Sequence, residues 1–284
     1  MFKNEFKVSS IMTLIIITLS IMASAGGLLL EDLYRDNILV KTAWYGNDLI
    51  TLFLAVPMLT LAWLYAMGGS KKAQLVWIGS LWYMVYNYIF YLYGAAFNKF
   101  FLLYVALFTL SSYALIFALI NIDPSAVARQ FHKRTPVKWI SGYMFFFAAL
   151  LGGLWVASSL SFIVTGQVPE NILKTGTEFA VVYATDLSLL VPSLIVSGAL
   201  LWRGRPWGYV LSAMVMIKSV TYSLVLLVMS FISYVKIGEG DPYTPLWALL
   251  SGLCFIALMF LLGNMKSSGK DNLDRDNSLV NNPA

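Results

Sequence analysis

The sequence predicts an all-α polytopic membrane protein with eight transmembrane helices, and three observations lead there. The 284 residues are 59% hydrophobic and 12% charged, about half the roughly 25% charged content of a soluble domain. The apolar residues gather into eight runs, each close to the ~20 residues that cross ~30 Å of hydrocarbon. Basic residues crowd the connections on one side: Lys71-Lys72, the segment from Arg129 to Lys138, and Arg203 with Arg205, together with Lys3, Lys7 and Lys266. Cytoplasmic loops carry the lysine and arginine excess. This bias puts both termini on the cytoplasmic side, and the even span count, derived separately, agrees by putting them on the same side.

Span one is read over 9–30, after the short basic segment MFKNEFK. Ala23-Ser24-Ala25 imitates a signal-peptide cleavage site, but the apolar run continues through GGLLL, which suits a retained helix. Span two is read from Asn47-Asp48 to Gly68, with Pro57 inside it removing one backbone hydrogen bond and favouring a kink. Span three, 75–97, is dense in aromatic residues. Asn98-Lys99 closes a connection so short that spans three and four are antiparallel neighbours. Span four ends near Asn121, and 122–138 is the longest basic loop. It holds the lone histidine, His132, beside Arg129, Lys133 and Arg134, which reads as a patch contacting solvent or lipid headgroups.

Spans five (139–165), six (181–202), seven (207–234) and eight (246–263) complete the set. No connection has the length of a second domain, so 1–265 reads as a single transmembrane domain. Residues 266–284 read as a polar, disordered cytoplasmic tail. One histidine and one cysteine, Cys254, supply no CxxC pair, disulfide or metal cluster, and Cys254 reads as a small buried thiol. That inventory leaves no metal and no cofactor to expect, and no nucleic-acid partner is expected because the net charge of +5 lies in orienting loops. The expected partners are the lipid bilayer and a small molecule or ion.

A weak internal repeat runs through the chain, with halves 9–121 and 139–264. Tyr45-Gly-Asn-Asp48 leads to Pro57 as Tyr183-Ala-Thr-Asp186 leads to Pro192. Aligned on the prolines, Gly69 falls on Gly204, whereas the two aspartates need a gap of about three residues. Both halves run the same way through the bilayer, so the repeat would be parallel, about an axis along the membrane normal.

The hairpin of spans six and seven carries the two charges that most need explaining, Asp186 and Lys218. An ionisable group at mid-bilayer costs at least ~2.5–3.5 kcal/mol, so it finds a partner or a wet cavity. At ~1.5 Å per residue Asp186 sits about 24 Å and Lys218 about 17 Å from the basic side, a gap that a lysine stem can span. A buried Asp186–Lys218 pair that makes and breaks with proton or substrate is the functional reading; a static pair between neighbouring helices is the plain one. Asp48 heads span two, where helix capping is its default role and Asn47 competes for it. Tyr83, Asn87, Tyr91 and Gly94 share one face of span three and could line a polar pocket, with Tyr86 and Tyr93 on another flank. For any single tyrosine the aromatic belt of the membrane interface is the default reading. Gly152-Gly153 in span five reads as a close helix contact. The candidate substrate- or ion-binding residues are therefore Asp186, Lys218, Asp48, Asn87, Tyr91 and Tyr83.

The stretches YNYIFYLYGAAFNKFFLLYVALF and DLSLLVPSLIVSGALLWRGRPWGYVL resemble a group of prokaryotic multispanning membrane proteins of unassigned function. The resemblance implies a prokaryotic cytoplasmic (inner) membrane and no particular chemistry. Buried charges and proline-interrupted helices in two halves are the ingredients of a small-solute or ion permease. The alternative is a non-transporting accessory, sensory or assembly protein whose charge pair is structural. An intramembrane enzyme fits poorly, because Ser219 and Lys218 are adjacent in sequence and do not share a helix face; no catalytic residue is assigned. A Schiff-base photoreceptor with Lys218 and Asp186 has apt residue types but the wrong span count and an inward N-terminus.

Overall fold

The computed structural model describes residues 6–177 and 179–266. Apart from Lys266, the tail expected to be disordered lies outside the described residues. Among the described residues, eight helices long and apolar enough to cross a membrane follow one another: Lys7–Leu29, Ile38–Met67, Lys71–Tyr93, Phe101–Asn121, Val137–Thr165, Val181–Trp202, Pro206–Ile237 and Thr244–Gly263. They are spans one to eight, and the protein is a polytopic α-helical membrane protein. Short helices Pro124–Arg129 and Glu170–Leu173 lie in the connections after spans four and five. Among the described residues there is no strand, only an isolated bridge between Phe131 and Met265.

Two span boundaries differ from the sequence reading. Asn37 caps span two, its side-chain oxygen accepting the Val40 amide at 2.9 Å, which satisfies a free N–H of the first turn. Span two therefore begins at Ile38, and Asp48 lies well inside it instead of capping it. Ser70 caps span three at the Ala73 amide, 3.3 Å away, and that helix ends at Tyr93. It starts and stops earlier than its apolar run suggests.

Spans three and seven pack against each other at the centre. Spans two, four and six also pack on three, while two, six and eight pack on seven. This explains why the least apolar span is the most enclosed. Of its apolar stretch 89% is buried, against 28–44% for the other seven. A helix surrounded by protein can carry hydroxyls and amides that lipid would penalise. Tyr83, Tyr86, Tyr88 and Tyr91 are consequently buried, and among the tyrosines of this helix only Tyr93 is exposed. The interfacial-belt reading fails for the buried four.

The close approach at this centre is Gly79, where an added methyl would lie 2.6 Å from Ile217 of span seven. The expected contact at Gly152-Gly153 is not made. A methyl at Gly153 would meet nothing within 4 Å, and at Gly152 only Val191 at ordinary contact distance.

Spans two and six share a departure from regular α-helix. Each holds a five-residue π-helical stretch, Thr51–Ala55 and Asp186–Leu190, directly before a Val-Pro pair. The Val56 amide bonds the Thr51 carbonyl, and the Val191 amide bonds the Asp186 carbonyl. Proline lacks an N–H and crowds the carbonyl four residues back, and a wider turn ahead of it accommodates both defects. Each helix then ends at a glycine of positive φ, Gly69 at 93° and Gly204 at 63°, before the next span starts at Lys71 or Pro206. Thr51 and Asp186, Val56 and Val191, Gly69 and Gly204, Lys71 and Pro206 are separated by the same number of positions. In that register Tyr83 matches Lys218 and Asn87 matches Tyr222.

Candidate binding site at the foot of an apolar vestibule

Asp186 opens the π-helical stretch of span six and is 5% exposed. One carboxylate oxygen accepts the Tyr86 hydroxyl of span three; the other accepts Trp155 Nε1 of span five at 2.8 Å. Trp155 is held flat against Tyr183, ring centres 4.2 Å apart, and the Tyr183 hydroxyl reaches Asn171 at 3.1 Å. Three helices thus converge on one carboxylate, and hydrogen bonds to a charged acceptor are the strong ones.

Lys218 of span seven is 1% exposed. Its ammonium lies 3.1 Å from the centre of the Tyr86 ring and 4.9 Å from that of Tyr222. Tyr222 sits one turn along the same helix and stacks on Phe90, 5.6 Å between centres. The direct Asp186–Lys218 ion pair expected from the sequence is not formed: among the described residues the ion pairs are Arg129–Asp123 and Lys174–Glu170. Tyr86 stands in the way, offering its hydroxyl to the acid and its π face to the base. The residue between the charges thus comes from the flank of span three away from the Tyr83, Asn87 and Tyr91 face.

A cavity of about 450 Å³ reaches both charged groups, within the ~300–1,000 Å³ range of small-molecule sites. Its mouth is formed by the connections after spans one, five and seven, including Asp36, Lys174 and Glu239. The lining stripe of span seven runs inward from Ser233 through Leu226 and Tyr222 to Lys218, about 22 Å along the axis at ~1.5 Å per residue. Phe147, Leu151 and Leu190 supply much of the opposite wall. The result is an apolar vestibule whose floor carries one acid and one base.

The other candidate residues do not line this vestibule. Asp48, 1% exposed, accepts the Tyr34 hydroxyl on one oxygen and the Tyr91 hydroxyl on the other, the latter at 2.8 Å. Tyr34 comes from the connection after span one, which is pinned where Asp36 accepts Trp44 Nε1 at 3.0 Å and the Ala96 amide at 2.9 Å. Tyr83 and Asn87 join Thr51: the Tyr83 and Thr51 hydroxyls are 2.9 Å apart, and Asn87 Nδ2 lies 3.4 Å from Thr51. Asn87 Oδ1 and Asn47 Nδ2 make no hydrogen bond. Of the six candidates, Asp186 and Lys218 meet at the vestibule, while Asp48 with Tyr91 and Tyr83 with Asn87 form two closed polar centres between spans two and three.

Trp155, Tyr34 and Tyr222 were not singled out in the sequence. Tyr222 alone left a signal there, since it follows Lys218 by one helical turn. Among the described residues no three His, Cys, Asp or Glu side chains gather in a way that could hold a metal ion. Comparison with protein-family models, curated proteins and solved structures gave no significant match. The arrangement itself defines a membrane-embedded polar site reached from one face through an apolar corridor.

Proposed function

We propose that this protein is a small-solute permease of a prokaryotic cytoplasmic membrane, with the Asp186–Tyr86–Lys218 centre as its binding site. The observation that carries the reading is the vestibule, which is open at one face and ends on the two ionisable groups. With the basic connections cytoplasmic, that face is extracytoplasmic, and the described state is open to the outside. The matched π-helix and proline elements of spans two and six favour a parallel duplication. They also supply one irregular, deformable turn per half where alternating access could bend, since irregular backbone at membrane depth accompanies transport sites. In the matched register the Thr51–Tyr83 bond occupies the place of Asp186 and Lys218, so one half would keep an open site and the other a closed one.

The test uses the full chain reconstituted in proteoliposomes, with electrogenic currents recorded after concentration jumps of a panel of organic acids, amines and amino acids. Asp186→Asn with Lys218→Met should abolish every current while the protein remains folded and monodisperse. Loss of folding in that double variant, with no solute moved by the parent, would instead favour an accessory, sensory or assembly protein. The protein donor held on each oxygen of Asp186 is the observation that favours this second reading.

A further inference from the structure

We propose that the vestibule takes a small monocarboxylate with an apolar or aromatic body, its carboxylate seated on Lys218. The proposal rests on the site described above and narrows what that site binds.

The two charged groups at the floor are not equally satisfied. Asp186 has a fixed donor on each oxygen, from Tyr86 and Trp155. Lys218 has three donors and only aromatic faces against its ammonium; no oxygen acceptor among the described residues reaches it. A cation–π contact offsets only part of what burying an ammonium costs. The acceptor that would complete Lys218 must come from the vestibule, and a carboxylate supplies a charge-assisted one. An amine would meet the reverse situation, a carboxylate already engaged and a cation beside it.

The walls decide the rest of the molecule. Phe90, Phe147, Leu151, Leu190, Tyr222 and Leu226 favour an apolar body, since each methylene removed from water adds to binding. A second carboxylate would lie against these apolar walls, or beside Asp186, or at the mouth among Asp36, Glu239 and Asp241, where the cation Lys174 is already paired with Glu170, and each placement is unfavourable. One acid group is therefore the limit.

The probes are phenylacetate, 2-phenylethylamine, 2-phenylethanol and phenylmalonate. Binding to the purified full chain in nanodiscs is followed by tryptophan fluorescence, with Trp155 at the site as reporter, and by thermal shift. Phenylacetate should bind saturably and at least ~10-fold more tightly than the amine, the alcohol or the dicarboxylate, and Lys218→Met should weaken it ~10-fold or more. Ser223→Trp fills the corridor without replacing any residue of the charged centre and should also abolish binding; it decides the matter where Lys218→Met does not fold. Equal binding of the amine, or undiminished phenylacetate binding in a folded Lys218→Met or Ser223→Trp protein, overturns the proposal. Binding without flux in proteoliposomes removes the permease reading and leaves this assignment standing. Flux of another solute without phenylacetate binding removes this assignment alone.

Discussion

Tyr86 couples Lys218 to Asp186: its hydroxyl donates to the carboxylate while the ammonium lies 3.1 Å from the centre of its ring. The acid and base thus interact through a polarisable side chain from a third helix and not by contact. Tyr86→Phe keeps the ring and removes the donor, leaving one oxygen of a buried carboxylate unserved, at a cost of about 1–3 kcal/mol. Tyr86→Leu loses the π face as well and should unfold at a lower temperature still. Denaturation in detergent, followed by tryptophan fluorescence, ranks the three proteins; equal stability of Phe and Leu variants would show that Lys218 does not rest on the ring.

Asp48 answers to a different set of partners, and its removal should separate stability from binding. In Asp48→Asn one oxygen facing the Tyr34 and Tyr91 hydroxyls becomes an amide donor, so stability should fall by about 1–3 kcal/mol. Phenylacetate affinity should stay within about twofold, because Asp48 does not line the vestibule and well-separated sites act independently. A parallel loss of affinity would tie the two centres together.

Gly27 of span one sets how closely that helix approaches Asp48. A methyl there would lie 2.0 Å from an Asp48 oxygen and 2.3 Å from the Tyr34 hydroxyl, closer than any packed contact. Gly27→Ala should cost about 1–3 kcal/mol or more, as overpacking does, whereas Gly153→Ala, with open space around it, should be neutral or slightly stabilising. Thermal unfolding of the two variants, expressed side by side, makes the comparison.

The face on which the vestibule opens can be read by chemical labelling. In a Cys254→Ser background, Ser223→Cys should react with a membrane-impermeant maleimide in spheroplasts and stay unmodified in sealed inside-out vesicles. The reverse pattern would invert the topology argued from the basic loops.

Asp123, in the connection after span four, gives a pH signature away from the bilayer. The Ala126 amide first, then the Ser125 amide and nearby Arg129, hold its carboxyl below the usual carboxylate range. A depressed folded value means that its capping of Pro124–Arg129 is present above the ordinary carboxylate range and is lost as pH falls through the lowered value. Exchange protection of the Ser125 and Ala126 amides should therefore decline only in acid, and Asp123→Ala should remove it at neutral pH.

Hydropathy and basic-residue placement determined the eight spans, and Val181–Trp202 is the span the sequence bounded at both ends. These features are local: a run of apolar residues registers its own length whatever surrounds it. The start of span two was misplaced because Ile38 to Gly46 is only moderately apolar, so the chain looked unstructured until Asn47, while the cap that starts the helix is Asn37. The prolines and the glycines Gly69 and Gly204 were legible as punctuation, but the π-helical turns ahead of the prolines were not.

Which groups meet was decided only by tertiary structure. Asp186 and Lys218 announced themselves as costly charges, yet nothing along the chain said that Tyr86 would lie between them, that Trp155 would take the second oxygen, or that Asp48 would be claimed by Tyr34 and Tyr91. Partnership between helices depends on the rotation of each about its axis and on relative depth, and one residue of slip turns a side chain by about 100°. Sequence carries the composition of each helix face. The packing of spans two, four, six and seven around span three, with span five set against six, selects which faces look at one another, and so turns six separate candidates into one open site and two closed centres.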